Sequence, residues 1–314
     1  MAKIKKTLLS IVFSIVILFG WSVFNSNNVN ADEKVYEIGT DVTFPPFEFA
    51  NDQNQYVGID MDIIRTIAKN EGFKVKIKPV GFNAAVQALD AGQLDGVIAG
   101  TTITDERKQK MDFSAPYFKT GVVMAVGQNS SIKNFQDLKG KRVAIKTGTA
   151  AGEYAKSIQK KYGFKTVTFD DSNNVYNDVT TGNSVACFED QPVMQYAIKT
   201  GAKLKIVTKP ANGGAYGFSV KKGHNQELLK KFDAGLKKIK SNGQYKKIVA
   251  KYLGASAVAS QKAHKTQNTF VSLWKQNQSA LLGGLEQTVI LTVLSIFFAT
   301  IFGIFFGMLG VCLL

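Results

Sequence analysis

Gly100-Thr101-Thr102-Ile103-Thr104-Asp105-Glu106-Arg107, followed by Met111-Asp112-Phe113-Ser114-Ala115-Pro116-Tyr117, joins a Gly/Thr turn rich in hydroxyls to one fixed cation, Arg107. A guanidinium fork matches a carboxylate bidentately, and threonine and backbone N–H groups complete such a set. Upstream, Val35-Tyr36-Glu37-Ile38 reads as a strand, and Asp60 to Glu71 as a helix. Asp60 is its candidate N-cap, Ile63, Ile64, Ile67 and Ala68 its apolar stripe, and Gly72 its stop. Lys74 to Lys78 alternates like a strand, Asn83 opens a second helix ending at Gly92, and Gly96-Val97-Ile98-Ala99 is a short buried strand. This β-α-β-α-β order predicts a parallel sheet with helices on its faces.

The order repeats after Tyr117. Strands are predicted at Arg142–Ile145, Thr166–Phe169, Ser184–Phe188, Lys203–Val207 and Tyr216–Val220. Helices are predicted at Thr149–Lys161, Gln191–Thr200 and, in one piece, Asn225–Tyr252.

The motif at Gly100–Tyr117 resembles the signature of the polar amino-acid solute-binding proteins of ABC importers. Gly39-Thr40-Asp41-Val42-Thr43-Phe44-Pro45-Pro46-Phe47-Glu48-Phe49 is similar to the opening motif of that family, and Val57-Gly58-Ile59-Asp60-Met61-Asp62 to its next one. The resemblance spans roughly residues 33 to 253 and is nearest to glutamine-binding members. It implies an α/β, two-lobe periplasmic-binding-protein fold: two parallel or mixed sheets with flanking helices, joined by two hinge crossovers. The crossovers fall near Tyr117–Gly121 and Gly213–Gly217. Lobe one is then about 32–117 with 217–254, and lobe two about 121–213, within a binding domain of 32–254.

An amino-acid zwitterion asks for a cation with donors, an anion with acceptors, and a pocket for its side chain. Arg107 answers the first demand, with the N–H groups of Thr102 and Ala150. Ala150 stands where a helix begins, and a helix N-terminus favours anions. Asp190 answers the second, helped by the Gly100 carbonyl and the Thr102 hydroxyl; its local alternative is a helix N-cap. By resemblance, Phe44 and Phe82 sandwich the aliphatic part of the ligand, while Asp41 and Lys146 read its side chain. An acceptor beside a donor suits a carboxamide. Glu189 stands where the nearest glutamine binders often carry His. The expected ligand is a free amino acid: glutamine, then asparagine or glutamate.

Residues Lys3, Lys5 and Lys6, an apolar run from Leu8 to Phe24, and a polar stretch ending at Ala31 predict a signal peptide over 1–31. No cysteine lies near this junction, which excludes a lipid anchor there. Cys187 and Cys312 lie in different segments and give no disulfide framework. Residues 255–280 read as an Ala/Ser/Gln/Lys/Thr linker. Val289 to Leu314 is twenty-six residues without a charge, long enough to span a bilayer, and carries a Gly303/Gly307 pair. Leu285-Glu286-Gln287-Thr288-Val289 leading into it resembles the first transmembrane helix of histidine/glutamine-type ABC permeases. Residues 281–314 are therefore expected to be the first transmembrane helix of a truncated permease, with the membrane, a permease subunit and a separate ATPase subunit as partners.

The formal net charge is +15. Fourteen lysines lie between Lys199 and Lys251 against Glu227 and Asp233, on the polar side of the spacing Leu228, Leu229, Phe232, Leu236, Ile239. That reads as a solvated helix face, and no nucleic-acid partner is expected. No phosphate-binding GxxxxGK[ST] run appears, so ATP hydrolysis falls to another chain. His224 and His264 have no partners at catalytic or ligating spacing, and neither an enzyme nor a cofactor is expected. Two other readings share the fold: the sensor of a membrane signalling protein, and an enzyme like cyclohexadienyl dehydratase.

Overall fold

A computed structural model describes residues 34–254, 288–297 and 300. Its first part runs β1 (Val35–Thr40), β2 (Thr43–Phe44), β3 (Glu48–Ala50), β4 (Tyr56–Val57), α1 (Ile59–Glu71), β5 (Lys74–Pro79), α2 (Phe82–Asp90), β6 (Gly96–Val97) and β7 (Met111–Phe113). Then come β8 (Phe118–Gly127), β9 (Arg142–Lys146), α3 (Ala150–Tyr162), β10 (Lys165–Phe169), α4 (Ser172–Thr180), β11 (Ala186–Asp190), α5 (Gln191–Lys199), β12 (Leu204–Ile206) and β13 (Ala211–Tyr216). The chain closes this region with β14 (Ser219–Lys221), α6 (Gln226–Ser241) and α7 (Gln244–Leu253).

Two sheets result. Lobe one has the order β5-β1-β6-β14-β7; lobe two has β10-β9-β11-β8-β12, with β13 also on β8. In each, the βαβ-linked strands are parallel and the strands arriving through the crossovers are antiparallel. The crossovers are one antiparallel ribbon, with Phe118 opposite Tyr216 and Thr120 opposite Gly214. The expected positions at Tyr117–Gly121 and Gly213–Gly217 lie on that ribbon.

Lobe one packs Ile63, Ile64 and Ile67 of α1 against Phe232, Leu236 and Ile239 of α6. Each such side chain contributes about 1.5–3 kcal/mol when fully buried. Lobe two buries residues on both faces of its sheet: Val143, Ile145 and Phe188 on one side, Ala144, Val175 and Cys187 on the other.

Three local expectations are corrected. The predicted Asn225–Tyr252 helix is two helices, broken at Asn242–Gly243, where Gly243 takes φ 83°, a left-handed value that glycine adopts without strain. Asp60 does not cap α1: Gly58 holds the N-cap position, and the Asp60 carboxylate lies in the second helical position, pointing inward. Asn83 likewise follows the start of α2, whose N-cap is Gly81. The short β2–β4 sheet and α4 had no counterpart in the periodicity.

The expected signal peptide at 1–31, the linker at 255–280 and most of the expected transmembrane segment lie outside the described residues. Residues 288–297 are helical and exposed, and among the described residues no helix is long and apolar enough to cross a membrane.

Candidate functional site

The ends of strands and the starts of helices in both lobes converge on one cleft. It is lined by Asp41, Phe44, Phe82, Ala99, Gly100, Thr102 and Arg107 from lobe one, and by Lys146, Thr149, Ala150, Glu189 and Asp190 from lobe two. Its open space, mouth included, is about 290 Å³. All ten residues expected from the sequence are brought together here. Ala99 and Thr149 join them.

Arg107 sits on a short 3₁₀ turn, Arg107–Gln109, just after the Gly/Thr loop. Its guanidinium donates to the Thr102 carbonyl at 2.7 Å and, across the cleft, to the Gly148 carbonyl at 2.9 Å. The cation lies 5.2 Å from the centroid of the Phe82 ring. Burial pushes its pKa below the usual arginine value, against the pull of Asp190. Two neutral carbonyls hold the fork in place without cancelling its charge, so an incoming anion meets a preoriented cation.

Opposite stands Asp190, at the end of β11. It occupies the N-cap position of α5, yet its side chain makes no capping hydrogen bond. Instead the Tyr216 hydroxyl donates to Oδ2 at 2.5 Å, while Oδ1 is buried without a partner. Burial, and then the neighbouring Glu189, push its pKa up to about 7. A buried, partnerless carboxylate oxygen on a residue that lines a cleft is an acceptor awaiting a donor.

Asp41 and Lys146 meet across the lobes. The Lys146 ammonium donates to Asp41 Oδ2, to Thr43 Oγ1 at 3.1 Å and to Ser172 Oγ at 3.3 Å, and both charged side chains are only 3% exposed. Asp41 Oδ1 takes the Val42 and Thr43 amides at 2.7 and 3.1 Å. The two residues expected to read a ligand's side chain are thus partners of each other. Glu189 is also engaged: it accepts from the Tyr176 hydroxyl at 2.9 Å and from its neighbour's amide, Asp190 N, at 2.9 Å. Burial raises its pKa, opposed by Lys146.

Phe44 and Phe82 line the cleft as two apolar walls, each with a cation near its face, Lys146 at 5.5 Å and Arg107 at 5.2 Å from the ring centroids. Ala150 opens α3, whose N-cap Thr149 accepts from the Gly152 amide. Gly100 takes φ 52°, and a Cβ there would stand 2.5 Å from the Phe44 ring, so no other residue lets the loop pass this close. The supporting groups Tyr216, Tyr176, Thr43 and Ser172 were missed in the sequence. They lie 26 to 129 residues, or in one case 13, from the groups they touch, and hydroxyl residues carry no local mark of such a partner.

Residues 36–255 match the model of the bacterial extracellular solute-binding proteins, family 3. The arginine-binding extracellular protein ArtP of Bacillus subtilis (strain 168) is 29% identical, with 79% of this chain and 98% of that protein aligned. Among solved structures, an ancestral arginine-binding protein bound to arginine matches at a TM-score of 0.66 and 39% identity, covering 70% of this chain and 98% of that one. Substrate-binding domain 2 of Lactococcus lactis GlnP in its open conformation matches at 0.52 and 43% identity, covering 71% and 96%. The less identical, liganded protein superposes better, in accord with lobes that here are drawn together by the Asp41–Lys146 pair and the Arg107–Gly148 bond. A two-lobe α/β fold and a family model covering that whole fold lead to one conclusion: the chain belongs to the bacterial extracellular solute-binding proteins, family 3.

Proposed function

We propose that this protein captures a polar amino acid, glutamine first, between its lobes outside the cytoplasm and delivers it to an ABC-type permease. The observation that carries the reading is the facing pair of unspent charges: the Arg107 fork on one wall and the open, buried Oδ1 of Asp190 on the other. Arg107 takes the α-carboxylate, with the N-terminus of α3 at Ala150; Asp190 takes the ammonium, with Gly100 and Thr102. Phe44 and Phe82 enclose the aliphatic chain. A terminal carboxamide joins the Asp41–Lys146 pair with its oxygen toward Lys146 and its amide toward Asp41. Leucine would leave that pair unanswered, and sites built for hydrogen bonds reject such analogues by about 10⁴-fold or more.

The charge count supports glutamine over a cationic ligand when Glu189 is neutral, since Asp41 and Asp190 then balance Arg107 and Lys146. Its raised pKa favours that state. When Glu189 ionises, the third acid favours arginine, the ligand of the arginine-bound relative. The function proposed is binding, without catalysis. The apolar run 289–314 supports attachment to a membrane as the start of a permease, with ATP hydrolysis on a separate subunit.

The test is competition against labelled glutamine at two pH values. The advantage of glutamine over arginine should be greatest at the lower pH, with arginine gaining as pH rises. If arginine or leucine outcompetes glutamine at both, the side-chain pocket has been misread.

A further inference from the structure

Beneath the cleft floor lie two acids with too few donors. Glu48, on β3, is 0% exposed, and neither carboxyl oxygen has a partner among groups that carry their own hydrogen. Asp60, on α1, is also 0% exposed; Oδ2 accepts from the Gly100 amide at 2.8 Å and from the Tyr117 hydroxyl at 2.6 Å, while Oδ1 has no such partner. The chain sets the two acids side by side, the Asp60 amide donating to the carbonyl of Phe47, the residue before Glu48, at 2.9 Å, and each carboxyl acts on the other's pKa. Two bare carboxylates side by side would repel in a dry interior, and neither has a cation paired to it. The charged groups facing Glu48 are Asp60, Asp41 and Lys146, and the ammonium of Lys146 is bonded to Asp41. One proton between the two acids resolves the repulsion. It belongs on Glu48, because Asp60 already accepts two hydrogen bonds that favour its ionised form.

We propose that Glu48 is a permanently neutral acid that donates its proton to Asp60, and that through Asp60 it positions Gly100 in the cleft and Tyr117 at the hinge. The directions agree: burial holds Glu48 well above the usual carboxylate range, and Asp60, lowered by its donors, rises to about 6. The geometry gives Glu48 reach on two sides. Across the hairpin it is registered opposite Phe44, one wall of the cleft. Through Asp60 it fixes the amide of Gly100, the residue that touches that same ring. Tyr117 is the last residue before β8, and its carbonyl accepts from Tyr245 of α7 at 2.5 Å, so the same carboxylate also anchors the root of the crossover ribbon. The ligand half of this proposal rests on the amino-acid site above; the proton half does not.

Glu48→Gln and Glu48→Met separate the possibilities. Glutamine keeps a donor toward Asp60 without a proton to lose, whereas methionine keeps the volume and removes the donor. The infrared difference spectrum at pH 8, wild type minus Glu48→Gln, should show one buried protonated carboxylic acid beyond any contributed by Asp190 and Glu189, which both proteins share. The sign of the stability effect follows from the raised pKa: the folded chain holds a proton the unfolded chain releases above the ordinary glutamate value of about 4.3, so wild-type stability falls as pH rises. Glu48→Gln escapes that loss, so its advantage in Tm should be near zero at pH 4 and widen toward pH 8. Glutamine affinity should stay within about twofold of wild type in Glu48→Gln and fall by about tenfold or more in Glu48→Met. No acid band in that difference spectrum, or a Tm gap that ignores pH, overturns the shared proton. Wild-type affinity in Glu48→Met overturns the positioning role. Wild type that binds no glutamine counts against the proposed ligand alone, because the infrared and melting results stand without it; should Glu48→Met fail to fold, the drop in affinity is read from Tyr117→Phe, which deletes one Asp60 donor.

Discussion

The cleft and its floor solve the same problem in opposite ways. In the cleft, the buried acids Asp41 and Asp190 face cations from the other lobe, Lys146 and Arg107. In the floor, Glu48 and Asp60 sit side by side within one lobe, fully buried, and neither forms an ion pair, the nearby Lys146 being bonded to Asp41. Ion pairs that bridge two lobes part when the lobes part, and each partner is then rehydrated. A pair sealed inside one lobe never meets water, so a proton is the cheaper neutraliser. The difference divides the labour: cleft charges set affinity and closure, floor acids set the shape on which the cleft is built.

The largest effect should come from removing the cation whose hydrogen bonds go to carbonyls and not to an acid. Arg107→Ala leaves a desolvated ligand carboxylate without its main partner, at a cost of about 3–5 kcal/mol in binding. Calorimetry should register that loss while Tm moves far less, since Arg107 otherwise holds only two carbonyls. Equal losses in affinity and stability would erase the distinction between cleft and floor.

Next, Lys146→Met strips Asp41 of its cross-cleft partner. Breaking one side of a buried pair costs roughly 3–5 kcal/mol, here charged to the closed state alone because the pair spans the lobes. Small-angle scattering should show a larger radius of gyration for the ligand-free variant than for ligand-free wild type. An unchanged radius would mean that Asp41 and Lys146 do not hold the lobes together.

A pH titration sharpens the comparison further. The ligand ammonium requires ionised Asp190, whose pKa in the empty cleft is about 7. Below that value binding must expel a proton, so affinity should fall by up to about tenfold per pH unit as pH drops, and stay level above it. In Asp190→Asn the slope should vanish together with most of the affinity. The smallest effect belongs to Tyr176→Phe, which takes one donor from Glu189 at a cost of about 1 kcal/mol and favours its neutral form, turning preference further toward glutamine over arginine.

The βαβ order of each lobe was legible because parallel strands and their helices are written in local periodicity. The cleft residues were legible because they cluster in short runs, Gly100–Arg107, Lys146–Ala150 and Glu189–Asp190, whose spacing survives in the chain. What stayed hidden was long-range. Asp60 reads locally as a cap, and only its contacts with Gly100, 40 residues away, and Tyr117, 57 away, reveal a buried acceptor. Glu48 hides in an aromatic hairpin for the same reason. The break at Gly243 was missed because the apolar stripe of α6 continues into α7 at helical spacing, and periodicity records which face is buried, not where the axis turns.

The central claim is tested most directly by isothermal calorimetry of the segment 32–254 against each of the twenty amino acids. Glutamine should bind tightest at one site per chain, with release of bound protons appearing only below about pH 7. Tightest binding by an apolar amino acid, or no binding by any of the twenty, would contradict the account.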